Sequence, residues 1–295
     1  MHKLPVFATA GLVYRFLFNE LATIARLSWL PLLLVWLAQY AVAYFAFEAM
    51  REAMPSVLRG DPAATFKGNL VWQAAGLIAW LLGTSVVAVA LHRVILFGDR
   101  KPGRLFYFSF RKIELLFLLL PLVAYVTLFS LNVLVVLNFR SLPAPSFFVL
   151  LSISAAFALL WLALRLLLIF PVIVVEGRYD FSQAWTLTRR NFWRMVATMI
   201  VAGVPLIAVT LVLQLLLLSA LGFDLPGALP RPGTSGTDPM SALLDRQFRL
   251  TFSIPVMVFS YLAMIVFGAI GVALLSYSYK ALSGYAPEQL LRPRS

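Results

Sequence analysis

Six uncharged apolar runs set the pattern of this chain: Trp29 to Phe47, Leu70 to Leu91, Leu115 to Leu137, Phe147 to Leu164, Met195 to Leu221 and Phe252 to Tyr277. Each approaches the roughly 20 helical residues that cross a hydrocarbon core of about 30 Å. None alternates polar and apolar positions. Apolar backbone of this length in lipid has to satisfy its own hydrogen bonds, so each run is expected as a helix. The predicted architecture is all-α. It is a single integral membrane domain over residues 1–295, a polytopic bundle of six transmembrane helices with amphipathic helices on the cytoplasmic side.

Between the runs, the joint from Pro171 to Arg194, PVIVVEGRYDFSQAWTLTRRNFWR, is the most patterned. It reads as a membrane exit in which Pro171 weakens the helix end and Glu176 with Gly177 stops the apolar run. Asp180 then offers an N-cap, with Gln183 three residues on to complete a capping box. From there Phe181, Trp185, Thr188, Phe192 and Val196 share one side of a helix, and Gln183, Arg190 and Arg194 the other. Such a segment is expected to lie flat at headgroup level, cations toward water or phosphate. Arg189 falls on the apolar side and calls for a partner: Glu176, Asp180 or a lipid phosphate.

Lysine and arginine are distributed unevenly. The N-terminal segment, the connection from Arg93 to Lys112, the joint from Arg178 to Arg194 and the tail carry sixteen; the connections on the other side carry seven. The positive-inside rule then places both termini in the cytoplasm. The outer connection Gly222 to Arg249 is rich in proline and glycine and has linker composition.

The chain also resembles itself. Ala90 to Gly98 can be laid on Ala163 to Pro171, and Ala273 to Lys280 ends the last run in a similar way. Aromatic and basic lead-ins at Tyr14 to Trp29, Phe106 to Lys112 and Phe181 to Arg194 precede the odd-numbered runs, which carry Pro31, Pro121 and Pro205. This suggests three tandem units, 10–98, 104–177 and 180–284, each an interfacial helix followed by a helical hairpin.

Composition narrows the function. With 62% hydrophobic and 12% charged residues, the chain is too apolar for a water-soluble domain. Its net charge of +12 brackets apolar runs, which favours an anionic membrane leaflet over nucleic acid. The absence of cysteine removes disulfides and thiolate chemistry. His2 and His92 are the only histidines, too few for a histidine metal cluster. No GxSxG elbow, GxxxxGK loop or GxGxxG turn occurs. No acid lies within the six runs, which argues against a carrier with a carboxylate relay. The expectation is therefore a protein that is not an enzyme and has no cofactor. Arg15, Glu20 and Arg26 interrupt the first residues, so the first membrane helix is expected to act as the targeting signal.

Arg165 is the one charge between Phe147 and Val175, and a charge within a span is a candidate for function. The eighteen residues before it nearly cross the core, which puts it within snorkelling reach of the cytoplasmic headgroups. Arg93 holds the corresponding place in the preceding unit. The candidate cluster is Arg93, Arg165, Glu176, Arg189 and Lys280. It is either an anionic pocket for a lipid phosphate, or an internal set of ion pairs in which Glu176 neutralises the arginines. The polar residues Gln73, Thr84, Ser85, Asn132 and Gln214, and the small pairs Gly76 with Gly83 and Gly268 with Gly271, are expected at helix–helix contacts.

Pro171, Val175, Glu176, Trp185, Leu187, Thr188, Phe192, Trp193 and Arg194 carry a resemblance. At these residues the chain is similar to a bacterial family of multi-pass inner-membrane proteins, which includes the membrane domain beside some glycerophosphodiester phosphodiesterases. The resemblance covers about twenty-five residues and implies a helical bundle in a bacterial cytoplasmic membrane. Arg190 and Asn191 stand where that family often has glycine. The catalytic barrel, which needs on the order of 200 residues, has no room here, so the resemblance implies fold and location without catalysis. The function expected is contact with anionic membrane lipid or a membrane protein partner in envelope or lipid homeostasis. The alternative is a small transporter or lipid translocator, marked by a hydrophilic cavity lined by Gln73, Asn132 or Gln214.

Overall fold

The computed structural model describes residues 3–58, 63–99, 110–138, 145–221, 248 and 252–284, and all regular structure among them is helical. The helices are α1 (Val6–Asn19), α2 (Leu21–Leu58), α3 (Ala63–Phe97), α4 (Lys112–Asn138), α5 (Pro145–Leu166), α6 (Ile169–Glu176), α7 (Phe181–Arg189), α8 (Phe192–Ala220) and α9 (Ile254–Ser283). Among the described residues, five stretches are long and apolar enough to cross a bilayer: Leu21–Ala49, Ala74–Phe97, Phe157–Glu176, Phe192–Ala220 and Ile254–Ser283. α4, 27 residues long, occupies the place of the third apolar run. The protein is an all-α polytopic membrane bundle.

α2 and α3 form a long antiparallel hairpin. At 38 and 35 residues they run roughly 50 to 60 Å, well past a hydrocarbon core of about 30 Å. Two glycines set their approach. A Cβ on Gly83 would collide with Val35 Cγ2 and sit 3.2 Å from the Pro31 carbonyl oxygen, and one on Gly76 would lie 3.2 Å from Val42 Cγ1. Gln39 closes the contact by donating from Nε2 to the Gly76 carbonyl. Across the hairpin, Trp36 Nε1 donates to Ser260 Oγ of α9 at 3.2 Å, and the Tyr261 hydroxyl donates to the Trp29 carbonyl at 2.6 Å.

The buried core is concentrated toward the α1 end of the bundle. One cluster joins α1, α2, α3 and α9 through residues such as Val13, Leu27, Leu91 and Ala273. α1 is packed into the bundle along one face. It buries Thr9, Ala10, Val13, Phe16 and Leu17, packs on α8 and α9, and donates the Tyr14 hydroxyl to the Ala202 carbonyl at 2.6 Å. The lead-in breaks at Glu20, where α1 ends and α2 begins one residue later.

The second cluster surrounds α6, which ends the apolar run at Glu176 and Gly177 as expected. Leu168, Ile169, Val172 and Ile173 are fully buried, packed among α3, α4, α7 and α9. Pro171 interrupts the helix upstream of itself. Its ring excludes the Leu167 carbonyl four residues upstream, so the break falls at Leu167–Leu168 and a new helix runs through the proline to Glu176. Gly177 then takes a left-handed conformation with φ +68 and returns its N–H to the Ile173 carbonyl at 2.8 Å, a helix stop that favours glycine.

A short helix followed by two long ones recurs as α1–α2–α3 and α7–α8–α9. The lead-in Phe106 to Lys112 and the connection Gly222 to Arg249 lie largely outside the described residues.

Candidate functional site

The joint after α6 builds a recess from three helix ends. α7 starts at Asp180, whose Oδ1 accepts the Gln183 N–H at 2.9 Å. The capping box is one-sided, because Gln183 Oε1 is buried without a hydrogen-bond partner. α4 shows the complementary half: Glu114, fully buried three residues into the helix, accepts the Arg111 N–H on Oε2 at 2.9 Å while Oε1 is buried without a partner. Between them, the Tyr179 hydroxyl donates to the Leu116 carbonyl and ties the α6–α7 turn to α4. Burial raises that phenol above its ordinary range, which keeps it a donor.

The amphipathic segment expected to continue through Val196 is instead two helices. α7 stops at Arg189, and α8 begins at Phe192 after Asn191 bonds back to the Thr188 carbonyl. Its buried side is Ala184 and Thr188, while Phe181 and Trp185 remain exposed. Thr188 links the joint to α5: its hydroxyl lies 2.9 Å from the Arg165 carbonyl, one of the last in a helix cut short by Pro171. Asn191 Oδ1 accepts the Leu4 N–H at 3.1 Å, and Arg194 Nη1 donates to the Leu4 carbonyl at 3.1 Å. Both backbone polar groups of a single residue near the N-terminus, Leu4, are thus clamped beside the start of α8.

Arg165 sits in the middle of this arrangement. Its Cζ lies 5.2 Å from the ring centroids of Trp161, Trp185 and Phe192, each within cation–π range. Trp161 and Trp185 meet edge to face at 5.8 Å, which fixes two walls of the cage. Nε and Nη1 of Arg165 are buried without a hydrogen-bond partner. In place of the carboxylate expected from Glu176, the structure gives this guanidinium aromatic faces. The recess beside it has a volume of about 300 Å³ and is lined by Trp161, Arg165, Arg189, Arg190, Phe192, Trp193 and Arg194. Four guanidinium groups therefore share one opening at the first turn of α8, where the positive end of the helix dipole adds to them.

Of the five candidates, Arg165 and Arg189 come together here. Glu176 ends α6 and does not line the recess. Lys280 is elsewhere, its Nζ donating to the Ile95 carbonyl, and Arg93 stands on α3 outside the recess. Sequence reasoning missed the aromatic walls and the clamp on Leu4. Trp161 precedes Arg165 by four residues, a helical spacing that sets this ring beside the guanidinium. Nothing local to the sequence marks Leu4 as the partner of a residue 187 positions away. No family model, curated protein or solved structure matches the chain.

Proposed function

We propose that this chain is a non-enzymatic protein of a bacterial cytoplasmic membrane, with both termini cytoplasmic, which binds the phosphate of an anionic lipid in the arginine recess between α5, α7 and α8. The observation that carries the reading is the Arg165 guanidinium, held by three rings, with two nitrogens buried and unbonded beside a recess bordered by three further arginines. A guanidinium presents planar donors that match phosphate oxygens, and the aromatic faces hold it without neutralising it. The clamp by Arg194 on Leu4 keeps that side chain in place, while Arg189 and Arg190 are exposed and available to the ligand. The sixteen cations assigned to the cytoplasmic side supply the surrounding attraction for an anionic leaflet.

The test is native mass spectrometry of the full chain, released from micelles that contain phosphatidylglycerol and phosphatidylcholine in equal amounts. Wild type is expected to retain phosphatidylglycerol in preference. The pair Arg189→Ala with Arg190→Ala, on exposed positions, is expected to lower that retention at least tenfold with unchanged melting temperature. Equal retention of both lipids by wild type, or undiminished phosphatidylglycerol on the variant, overturns the reading. The transport alternative draws no support from the cavities described: Gln214 is exposed on the outside of α8, and the side chains of Gln73 and Asn132 lie outside the described residues.

A further inference from the structure

A second cavity, of about 410 Å³, lies between α3 and α9 and takes in Leu32 of α2, Phe117 of α4 and Phe170 of α6. Its volume falls in the range of about 300 to 1,000 Å³ typical of small-molecule sites. It follows α3 from Trp80 to His92, twelve residues and so roughly 18 Å along the axis, more than half the thickness of a hydrocarbon core. Trp80 and Phe267 line it and are also exposed at 45% and 37% on the outer surface of spanning helices, so its mouth opens sideways toward the acyl chains.

Two features show that the space is shaped rather than left over. Gly268 and Gly271 line it, and a Cβ on either would meet nothing within 4 Å. They are not the helix-packing pair expected from their spacing; they widen a groove. The second feature is polar. His92 lines the cavity and is 1% exposed, and its Nδ1 lies 2.7 Å from Ser276 Oγ. Ser276 donates its own hydrogen to the Val272 carbonyl at 2.8 Å, so toward the imidazole its oxygen accepts and Nδ1 carries the proton. In the neutral ring Nε2 is then an acceptor. Thr84, the other polar residue in the wall, turns its hydroxyl to the Trp80 carbonyl of its own helix. His92 lies five residues, about 8 Å, from the end of α3 at Phe97, near the boundary of the core.

We infer that this groove binds one long-chain lipid alcohol from within the bilayer, with its hydrocarbon tail along Gly268 and Gly271 and its hydroxyl donated to His92 Nε2. The occupant is an uncharged lipid with a hydrogen-bond donor at its head. A phosphate or carboxylate head is disfavoured, because the wall offers it an acceptor and no cation. The site is separate from the arginine recess, with which it shares no lining residue.

The experiment uses the full chain in lipid nanodiscs with a sixteen-carbon alcohol bearing a photoactivatable diazirine in its tail, compared with its methyl ether, which lacks the donor. Peptide mapping after irradiation is expected to place the alcohol on α3 between Trp80 and His92 and on α9 between Met264 and Leu275, with the ether at least fivefold weaker. Gly271→Leu is expected to remove at least nine-tenths of the labelling on both segments. His92→Leu is expected to bring alcohol and ether to the same level. The comparison of alcohol with ether on wild type needs no variant, so the test survives a substitution that fails to fold. Equal labelling of wild type by alcohol and ether overturns the inference, as does undiminished labelling of a folded Gly271→Leu protein.

Discussion

Gly76 and Gly83 on α3, and Gly268 and Gly271 on α9, look alike in sequence, small residues set into apolar runs, yet the bundle uses them oppositely. The α3 pair is buried against α2, within reach of Val35, Val42 and the Pro31 carbonyl. The α9 pair is exposed and faces open space in the wall of a cavity. In lipid no hydrophobic force draws helices together, so close backbone approach has to supply the packing, and a missing side chain has value only where a partner fills the gap. Where none does, the missing side chain makes room for a guest. What separates the two pairs is the neighbouring helix, which the residues themselves do not announce.

The sharpest break of this comparison is Gly83→Leu. Its Cβ alone collides with Val35 Cγ2, a short branched group with little freedom to move, and its next neighbour is backbone. The α2–α3 contact has to part, at about 3 kcal/mol or more, read as a fall in reversible unfolding free energy in mixed micelles. A stability within 1 kcal/mol of wild type would show that the hairpin does not rest on this approach. Next in size, Gly83→Ala is expected to cost about 2 kcal/mol, and Val35→Ala in the same chain to return part of it, a coupling of about 1 kcal/mol between touching residues. Strict additivity in that double-mutant cycle would remove Val35 as the obstacle.

The legible part of the molecule was what depends on long runs. Twenty apolar residues in a row announce a spanning helix whatever they touch, and five of the stretches meet that criterion in the structure. Arg165 and Arg189 were legible as two of five cluster candidates because charge near a core is conspicuous, and the structure sets these two at one recess. What failed depends on partners distant in sequence. Pro171 reads as weakening the helix end, but the sequence does not show that the residues after it become buried core, which they do because α3, α4 and α9 surround them. The amphipathic segment reads as continuous through Val196, and only the fold breaks it at Asn191 and brings Leu4 to that residue. A helical wheel assigns residues to faces; it does not say whether lipid, protein or a cavity lies opposite.

Gly76→Ala tests the same α3 interface where it is looser. Here the new methyl would sit 3.2 Å from Val42 Cγ1 and 3.4 Å from Gln39 Oε1, both side-chain atoms. Gln39 also donates to the Gly76 carbonyl, so a shift of its side chain disturbs that bond. The expected cost is about 1 kcal/mol, smaller than at Gly83 because no backbone stands in the way. A cost equal to that of Gly83→Ala would mean that the hairpin is equally tight along its length, against the difference in clearance.

The smallest effect, and the one that completes the contrast, is expected at Gly271→Ala. The added methyl meets no atom within 4 Å, so it neither strains the bundle nor fills the groove far enough to close it. Glycine in a helix interior leaves backbone freedom that alanine removes, by about 1 kcal/mol in water, and less for a chain whose reference state is already helical in lipid. Stability is therefore expected to change by no more than about 0.5 kcal/mol, in the stabilising direction, under the conditions used for Gly83→Ala. A loss above 1 kcal/mol would mean that a neighbour does pack on this face. The two glycine pairs would then be doing the same work, and the space beside α9 would be a packing surface rather than a groove.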